Sequence, residues 1–256
     1  MIQFGRLAVL GGMAVAITAC GKKGALVYPD MLIPAAPTAV SAIQSGSGVK
    51  IQFDIPTFDR AGNRLNNLAG LKISKRESDS ALEKTCRTCT HDYHLFRNLY
   101  LDLLPEGVER FGNRLVVIDG NVSFGTLYTY IAVPFTKDGM DGASSPQVSV
   151  KLVQAMLPPL LKAESYPTEI KIFFVSLPSV DGVHVGYNLY RAYQNSTFSY
   201  LPLNKEPLNL KEYVDGGLAR GTTYRYVSRA VVRLPSGSIV ESLVSNEVSG
   251  MLKDDE

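Results

Sequence analysis

Short stretches in which apolar and polar residues alternate recur at corresponding places in the two halves of the chain. In the first half they are Val49–Phe53 and Gly70–Arg76, and in the second half Ile170–Phe174 and Gly186–Arg191. Alternation with a period of two is typical of β-strands that bury one face. The pattern therefore predicts an all-β protein with half-buried strands in both halves.

A longer internal similarity defines the repeat unit. Ile118–Tyr130 aligns without a gap with Val214–Tyr226, a shift of 96 in residue number. A period of about 100 residues is too long for a solenoid and is the size of a whole immunoglobulin-type sandwich. We therefore expect two tandem β-sandwich domains, the first of which carries roughly twenty additional residues between its third strand and the Asp119-Gly120 turn.

Each copy contains an aliphatic residue followed, six positions later, by a tyrosine at the head of an alternating strand. The pairs are Val122 with Tyr128 and Leu218 with Tyr224. This spacing resembles the tyrosine corner of the fibronectin type III family. The resemblance implies that the hydroxyls of Tyr128 and Tyr224 bond to backbone a few residues upstream. Tyr226 has no such role in the family pattern, so its hydroxyl is expected to matter less.

The amino terminus has the three parts of a secretory signal. A short start ends in Arg6, an apolar run covers Leu7–Ile17, and small residues precede Cys20. The run is well short of the roughly 20 residues that a membrane-spanning helix needs. Ile17–Cys20 resembles the bacterial lipobox, which implies cleavage before Cys20 and lipidation of its thiol.

The residues after Cys20 resemble the Cys-Gly-x-Lys-Gly-x-Leu opening of a family of small Gram-negative lipoproteins. Lys22 and Lys23 equally suit a plain basic tether beside anionic headgroups. Gly21 after the cysteine implies, by analogy, a lipid anchor in the outer membrane. We expect the protein to face the periplasm. The expected organisation is a signal peptide (1–19), a flexible lipidated tether (20–36), a first domain with a cysteine-containing insertion (37–154), a second domain (155–250) and a tail (251–256).

One short segment combines thiols and imidazoles: Cys86, Cys89, His91 and His94. Thr90 stands where covalent haem attachment needs a histidine. A zinc site would use Cys86, Cys89 and one or both histidines, but structural zinc motifs separate their ligand pairs more widely. A redox Cys-x-x-Cys needs a helix in a βαβ setting, which this chain lacks. We expect a disulfide between Cys86 and Cys89, natural in an oxidising compartment.

The remaining polar residues give no catalytic motif. Asp119 and Asp215 precede glycines at matching places, where aspartate favours a turn. His184 reads as a surface histidine. Three basic residues of one predicted strand indicate a solvated face or a modest basic patch; they are Lys72, Lys75 and Arg76.

Overall charge also limits the function. The chain carries 26 Lys and Arg against 24 Asp and Glu, a net charge of +2, which argues against nucleic-acid binding. No cofactor, no catalytic residue and no small-molecule ligand are expected. The sequence favours a non-catalytic, lipid-anchored envelope protein that binds another envelope protein as a scaffold or assembly module. The alternative is a glycan-binding module whose rings come from one tyrosine-rich stretch: Tyr187, Tyr190, Tyr193 and Tyr200.

Overall fold

A computed structural model describes residues 28–79, 93–175 and 182–254. Within these residues the chain forms fifteen β-strands and one 3-10 turn, Pro29–Met31. No helix of the described residues is both long and apolar enough to span a membrane. The strands form two tandem sandwiches, and the expected all-β, fibronectin type III-like fold is confirmed.

The first sandwich contains eight strands. They are β1 Thr38–Ser45, β2 Gly48–Asp54, β3 Leu68–Asp79, β4 His94–Tyr100, β5 Val108–Phe111, β6 Arg114–Asp119, β7 Thr126–Thr136 and β8 Val148–Lys151. One of its layers has the strand order β4-β3-β7-β8, and the other has the order β1-β2-β6-β5. The alternating residues Val49, Ile51 and Phe53 of β2 are almost fully buried between the layers.

The second sandwich contains seven strands. They are β9 Leu160–Ser165, β10 Glu169–Val175, β11 Val183–Tyr193, β12 Glu212–Gly216, β13 Tyr224–Arg233, β14 Ile239–Glu241 and β15 Val248–Gly250. One layer has the order β12-β10-β9; in the other, β13 pairs with β11, β14 and β15. Phe174, which the repeat aligns with Phe53, stacks on Tyr187 with ring centroids 4.5 Å apart. The two sandwiches have separate hydrophobic cores.

The surplus residues of the first copy contain two strands that the repeat did not predict, β4 and β5. Strand β4 pairs with β3 at the edge of one layer, and β5 pairs with β6 at the edge of the other. Cys86, Cys89 and His91 lie outside the described residues. The described part of the insertion therefore widens both layers of the first sandwich.

The last part of the expected tether is bound to the first sandwich. The backbone carbonyl of Met31 accepts a 2.9 Å hydrogen bond from the N–H of Ala61, and Ala35 donates one of 3.1 Å to Phe58. The chain thus contacts the sandwich from Met31 onward, ahead of the expected start of the fold near Pro37.

The two sandwiches share one sheet. Strand β1 of the first pairs in parallel with β14 of the second, with Gln44 opposite Val240 and Ser45 opposite Glu241. This pairing joins β1-β2-β6-β5 to β11-β13-β14 in one continuous hydrogen-bonded sheet. The domain boundary is therefore crossed by a β-ladder as well as by the connecting chain.

Candidate functional site at the domain junction

Most residues of the predicted cysteine-histidine segment and of the lipobox lie outside the described residues. These are Cys20, Cys86, Cys89 and His91. His94 is described, and it is exposed at the start of β4. Among residues 28–79, 93–175 and 182–254, no three His, Cys, Asp or Glu side chains are grouped so that they could hold a metal. The lipidation, the disulfide and the zinc alternative stay predictions.

Both predicted corner tyrosines bond to upstream backbone. The hydroxyl of Tyr128 accepts a 2.7 Å hydrogen bond from the N–H of Ser123, and that of Tyr224 accepts one of 3.0 Å from Ala219. Gly221 before the second corner has a φ of +73°, a conformation that glycine adopts without strain. In both corners the hydroxyl is the acceptor, so its removal would leave a backbone N–H without this partner.

A second tyrosine on the same strand holds a buried aspartate in each sandwich. In the first, Tyr130 donates a 2.8 Å hydrogen bond to Asp119, whose carboxylate also pairs with Lys75 at 3.1 Å. All three residues are at most 2% exposed. Burial, together with the negative charge of Asp119, raises the pKa of Tyr130 well above its ordinary value. The carboxylate of Asp119 therefore belongs to the core as well as to the turn.

The second sandwich repeats this arrangement with a different cation. Tyr226 is fully buried and donates a 2.7 Å hydrogen bond to Asp215, and Arg191 pairs with the same carboxylate through two contacts of 2.8 Å. The Tyr226 hydroxyl, which the family pattern led us to expect to matter less than that of Tyr224, thus has a buried charged partner of its own. The signal was present in the repeat, because Asp119 and Tyr130 align with Asp215 and Tyr226.

The three basic residues of β3 form neither a solvated face nor a basic patch. Lys75 is 2% exposed and Arg76 is 8% exposed, so that interpretation is wrong for both. Lys75 faces the core because Asp119 neutralises it there, and the Arg76 guanidinium lies 5.2 Å from the centroid of the Tyr93 ring. Lys72 is the partly exposed member, 2.6 Å from Asp141.

The four tyrosines proposed as a sugar platform do not share one exposed face. Tyr187 lies in the second core and Tyr190 is buried at the junction, each 5% exposed, whereas Tyr193 is 60% exposed. Tyr200 lies on the loop before β12 and is half-buried. Successive side chains of a strand point to opposite faces, which is why Tyr187 and Tyr190 of β11 separate.

His184 is not a fully solvated surface histidine. Its ring packs against Tyr187 with centroids 4.6 Å apart, and it is half-buried. Burial lowers the pKa of His184 from its ordinary value, while a backbone hydrogen bond at Gly186 opposes this change. The imidazole is thus favoured in its neutral form near neutral pH.

The junction, by which we mean the contact of β1 and β2 with β11, β13 and β14, centres on a buried ion pair. The Lys50 ammonium lies 2.7 Å from Oε1 of Glu241, with side-chain exposures of 4% and 0%. The same carboxylate oxygen accepts hydrogen bonds from Asn188 at 2.6 Å and from the Tyr190 hydroxyl at 3.2 Å. Ser45 donates to the other oxygen at 2.5 Å. Residues of both sandwiches therefore satisfy one carboxylate.

These contacts decide how Glu241 ionises. Burial alone would raise its pKa, but the charge of Lys50 and hydrogen bonds from Lys50, Ser45 and Asn188 outweigh it, so the pKa lies below its ordinary value. Glu241 is therefore a carboxylate at neutral pH. A charged pair without access to water requires this degree of hydrogen bonding.

A loop of the second sandwich makes a further contact with the first. The Glu109 carboxylate of β5 accepts a 3.0 Å hydrogen bond from the Ser199 hydroxyl and one of 2.8 Å from the Tyr200 backbone. Glu109 lies at the far edge of the shared sheet. The loop 198–200 thus extends from the second sandwich to the outermost strand of the first.

A cavity of about 460 Å³ lies between this loop and the strands of the junction. Its lining includes Lys50 and Ile118 from the first sandwich and Tyr190, Val227 and Arg229 from the second. The volume is within the range of about 300–1,000 Å³ that small-molecule sites occupy. The junction therefore combines a rigid contact with a concave site built by both domains.

No pattern in the sequence predicted this site. Lys50 stands at a polar position of an alternating strand, where lysine is ordinarily solvated, and Glu241 is the last residue of the short strand β14. Their contact joins residues 191 positions apart. Two of the tyrosines proposed for sugar binding, Tyr190 and Tyr200, do line the cavity, but they do not form an exposed flat surface.

Comparison with solved structures finds fibronectin type III domains. The FN1–FN3 domains of chicken CNTN1 match with 15% identity and a TM-score of 0.31, over 87% of this chain and 66% of that chain. A structure described as a myokine structure matches with 13% identity and a TM-score of 0.31, over 39% of this chain and 100% of that chain. No protein-family model and no curated protein sequence matches the chain. The chain spans just under two thirds of the first of these structures.

Proposed function

We propose that this chain is a non-catalytic, lipid-anchored protein of the cell envelope whose two sandwiches act as one rigid scaffold for another envelope protein. The observation that carries the proposal is the junction itself. Tandem domains are by default mobile relative to each other unless their interface is large and well packed. Here a β-ladder and the buried Lys50–Glu241 pair fix the two sandwiches to each other.

The distance from the membrane is limited by the tether. Cys20 would carry the lipid, and the chain is bound to the first sandwich from Met31 onward. A fully extended chain of that length spans at most about 40 Å. A rigid two-domain unit on so short a tether would hold its binding surfaces at a restricted height above the bilayer, as a scaffold requires.

Strand β4 is the surface that best suits a protein partner. It is the outer strand of the layer β4-β3-β7-β8. Three large apolar residues on and just after it are exposed: Leu95 by 55%, Tyr100 by 55% and Leu103 by 81%. Outer strands with exposed apolar side chains pair readily with a strand of another chain.

The experiment is site-specific photo-crosslinking of the full lipidated protein in living cells. Benzoylphenylalanine replaces Leu95, Tyr100 or Leu103 in turn, and Tyr193 of the second sandwich is the exposed aromatic control. We expect the same discrete protein adduct at the β4 positions and none at Tyr193. Adducts of equal yield at all four positions, or none at any of them, would contradict a partner at β4.

A further inference from the structure

The junction cavity is enclosed mainly by side chains. Strand β13 pairs with β11 on one side and with β14 and β15 on the other, and β2 lies between β1 and β6. Their backbone groups are therefore already used within the sheet. An occupant would contact side chains on these strands and on the loop 198–200, so it could not bind by adding a strand.

The lining carries three cations, two of which already have a carboxylate partner. Lys50 pairs with Glu241, and Arg225 pairs with Glu247 through two hydrogen bonds of 2.7 Å each. Arg229 is different: in the described part of the chain its guanidinium donates a 2.7 Å hydrogen bond to the backbone carbonyl of Ser242 and has no carboxylate partner. Among the described residues, Arg229 is thus the lining cation without a carboxylate partner.

Four of the other lining side chains are apolar and two are tyrosines, while Ser45, Ser199, Ser245 and Glu247 are polar. Ile118 and Val227 come from the shared sheet, Val244 from the segment before β15, and Phe198 from the loop. The ring of Tyr200 adds to this surface. A cavity that combines this apolar surface with one guanidinium that lacks a carboxylate partner favours a ligand that has an apolar body and a single anionic group.

We propose that the junction cavity binds a small carboxylic acid with an apolar body. Arg229 pairs with the carboxylate, and Ile118, Val227 and Phe198 contact the body. The sequence pointed to no small-molecule ligand, so this site goes beyond the proposed scaffold function and does not depend on it. Because residues of both sandwiches line the cavity, the ligand would also hold the two sandwiches together.

The test uses octanoate and its uncharged analogue octanol as probes, with the whole mature protein and isothermal titration calorimetry. We expect saturable binding of octanoate at one site, and binding of octanol weaker by roughly ten- to a hundredfold, the contribution of a charge-assisted hydrogen bond. Arg229→Gln should weaken octanoate binding by the same factor and leave octanol binding unchanged. Arg229→Lys, which keeps the charge, should bind octanoate with intermediate affinity.

Arg233→Gln is the matched control, because Arg233 lies four residues later on β13, is exposed and does not line the cavity. It should bind octanoate like the wild type.

Val244→Trp, at a residue that is 44% exposed, should fill part of the cavity and weaken the binding of both probes while leaving the urea midpoint unchanged. Equal affinity for octanoate and octanol, equal loss in Arg229→Gln and Arg233→Gln, or no saturable octanoate binding would each overturn the proposal. Binding of a short peptide through its free carboxyl terminus, without octanoate binding, would also overturn it in favour of a partner chain.

Discussion

Lys50 of the first sandwich and Glu241 of the second lie 2.7 Å apart, with side-chain exposures of 4% and 0%. Neither sandwich alone would neutralise its own member of the pair, since each supplies one of the two charges. The pair therefore makes the stability of the junction depend on the correct alignment of the two domains. A misaligned junction would leave a buried charge without its partner, which is strongly unfavourable.

Lys50→Met should destabilise the mature protein by about 3–5 kcal/mol, because it leaves Glu241 buried without its cation. The double variant Lys50→Met/Glu241→Leu should recover only part of this loss, since an apolar pair replaces the ion pair but Ser45, Asn188 and Tyr190 lose their acceptor. The measurement is the urea midpoint of each variant. The matched control is Lys72→Met: its pair with Asp141 is 39% and 51% exposed, so we expect a loss of at most about 1 kcal/mol. Similar losses for Lys50→Met and Lys72→Met would show that the junction pair is not buried in solution.

The junction should also weaken in acid. The folded-state pKa of Glu241 lies below its ordinary value of 4.5, so the stabilisation is complete above that pH and is lost as the pH falls through the folded pKa. Thermal unfolding followed from neutral pH to about pH 3 should show a loss that Glu241→Gln reduces. An identical pH dependence in the wild type and in Glu241→Gln would contradict the buried carboxylate.

The strands and the repeat were predictable because they depend on local periodicity. Val49–Phe53 and Ile170–Phe174 lie within β2 and β10, and the alignment of Tyr128 with Tyr224 matches two equivalent corners. These features reflect the same physical requirement in each domain, which is a half-buried strand or a turn. A single domain's sequence is enough to specify them.

The junction was not predictable, because it depends on how one domain covers the other. Lys50 occupies a position that is polar in the strand pattern, and the carboxylate that neutralises it belongs to the second sandwich. The burial of Lys75 was not predictable for a related reason: it requires neutralisation by Asp119, 44 positions away. A charged side chain at a polar position of a strand is predicted to be solvated unless the partner that neutralises it is known.

Lipid attachment should depend on Cys20. Expression of Cys20→Ala with a palmitate analogue should give no label and a protein that no longer sediments with membranes, because a basic tether alone does not anchor stably. The wild type is the positive control. Continued labelling and sedimentation of the variant would exclude the lipobox.

Cys86 and Cys89 should be joined in the purified mature protein. Mass spectrometry without reductant should show the peptide that contains both cysteines lighter by the mass of two hydrogens. The ring is short and removes little chain entropy, so Cys86→Ser/Cys89→Ser should change the urea midpoint only slightly. Free thiols together with stoichiometric zinc would instead support the metal alternative with His91 and His94.

Tyr226→Phe should lower the free energy of unfolding more than Tyr224→Phe does, although only Tyr224 belongs to the tyrosine corner. The Tyr224 hydroxyl accepts from the N–H of Ala219, an exposed residue, so water can replace the lost partner and the cost should be about 1 kcal/mol. The Tyr226 hydroxyl donates to the buried carboxylate of Asp215, which would keep Arg191 as its ion-pair partner. A hydrogen bond to a charged group contributes about 1.5–3 kcal/mol, so the urea midpoint should fall further, with an unchanged slope.

The first sandwich provides the matched comparison. Tyr128→Phe and Tyr130→Phe remove the equivalent hydroxyls, which contact Ser123 and Asp119. We therefore expect the same order of destabilisation, with Tyr130→Phe losing more stability than Tyr128→Phe. Because Asp119 is 1% exposed, no water can replace the lost donor without opening the core. A larger loss of stability for the corner tyrosine in both sandwiches would contradict a strong hydrogen bond between the second tyrosine and the buried aspartate.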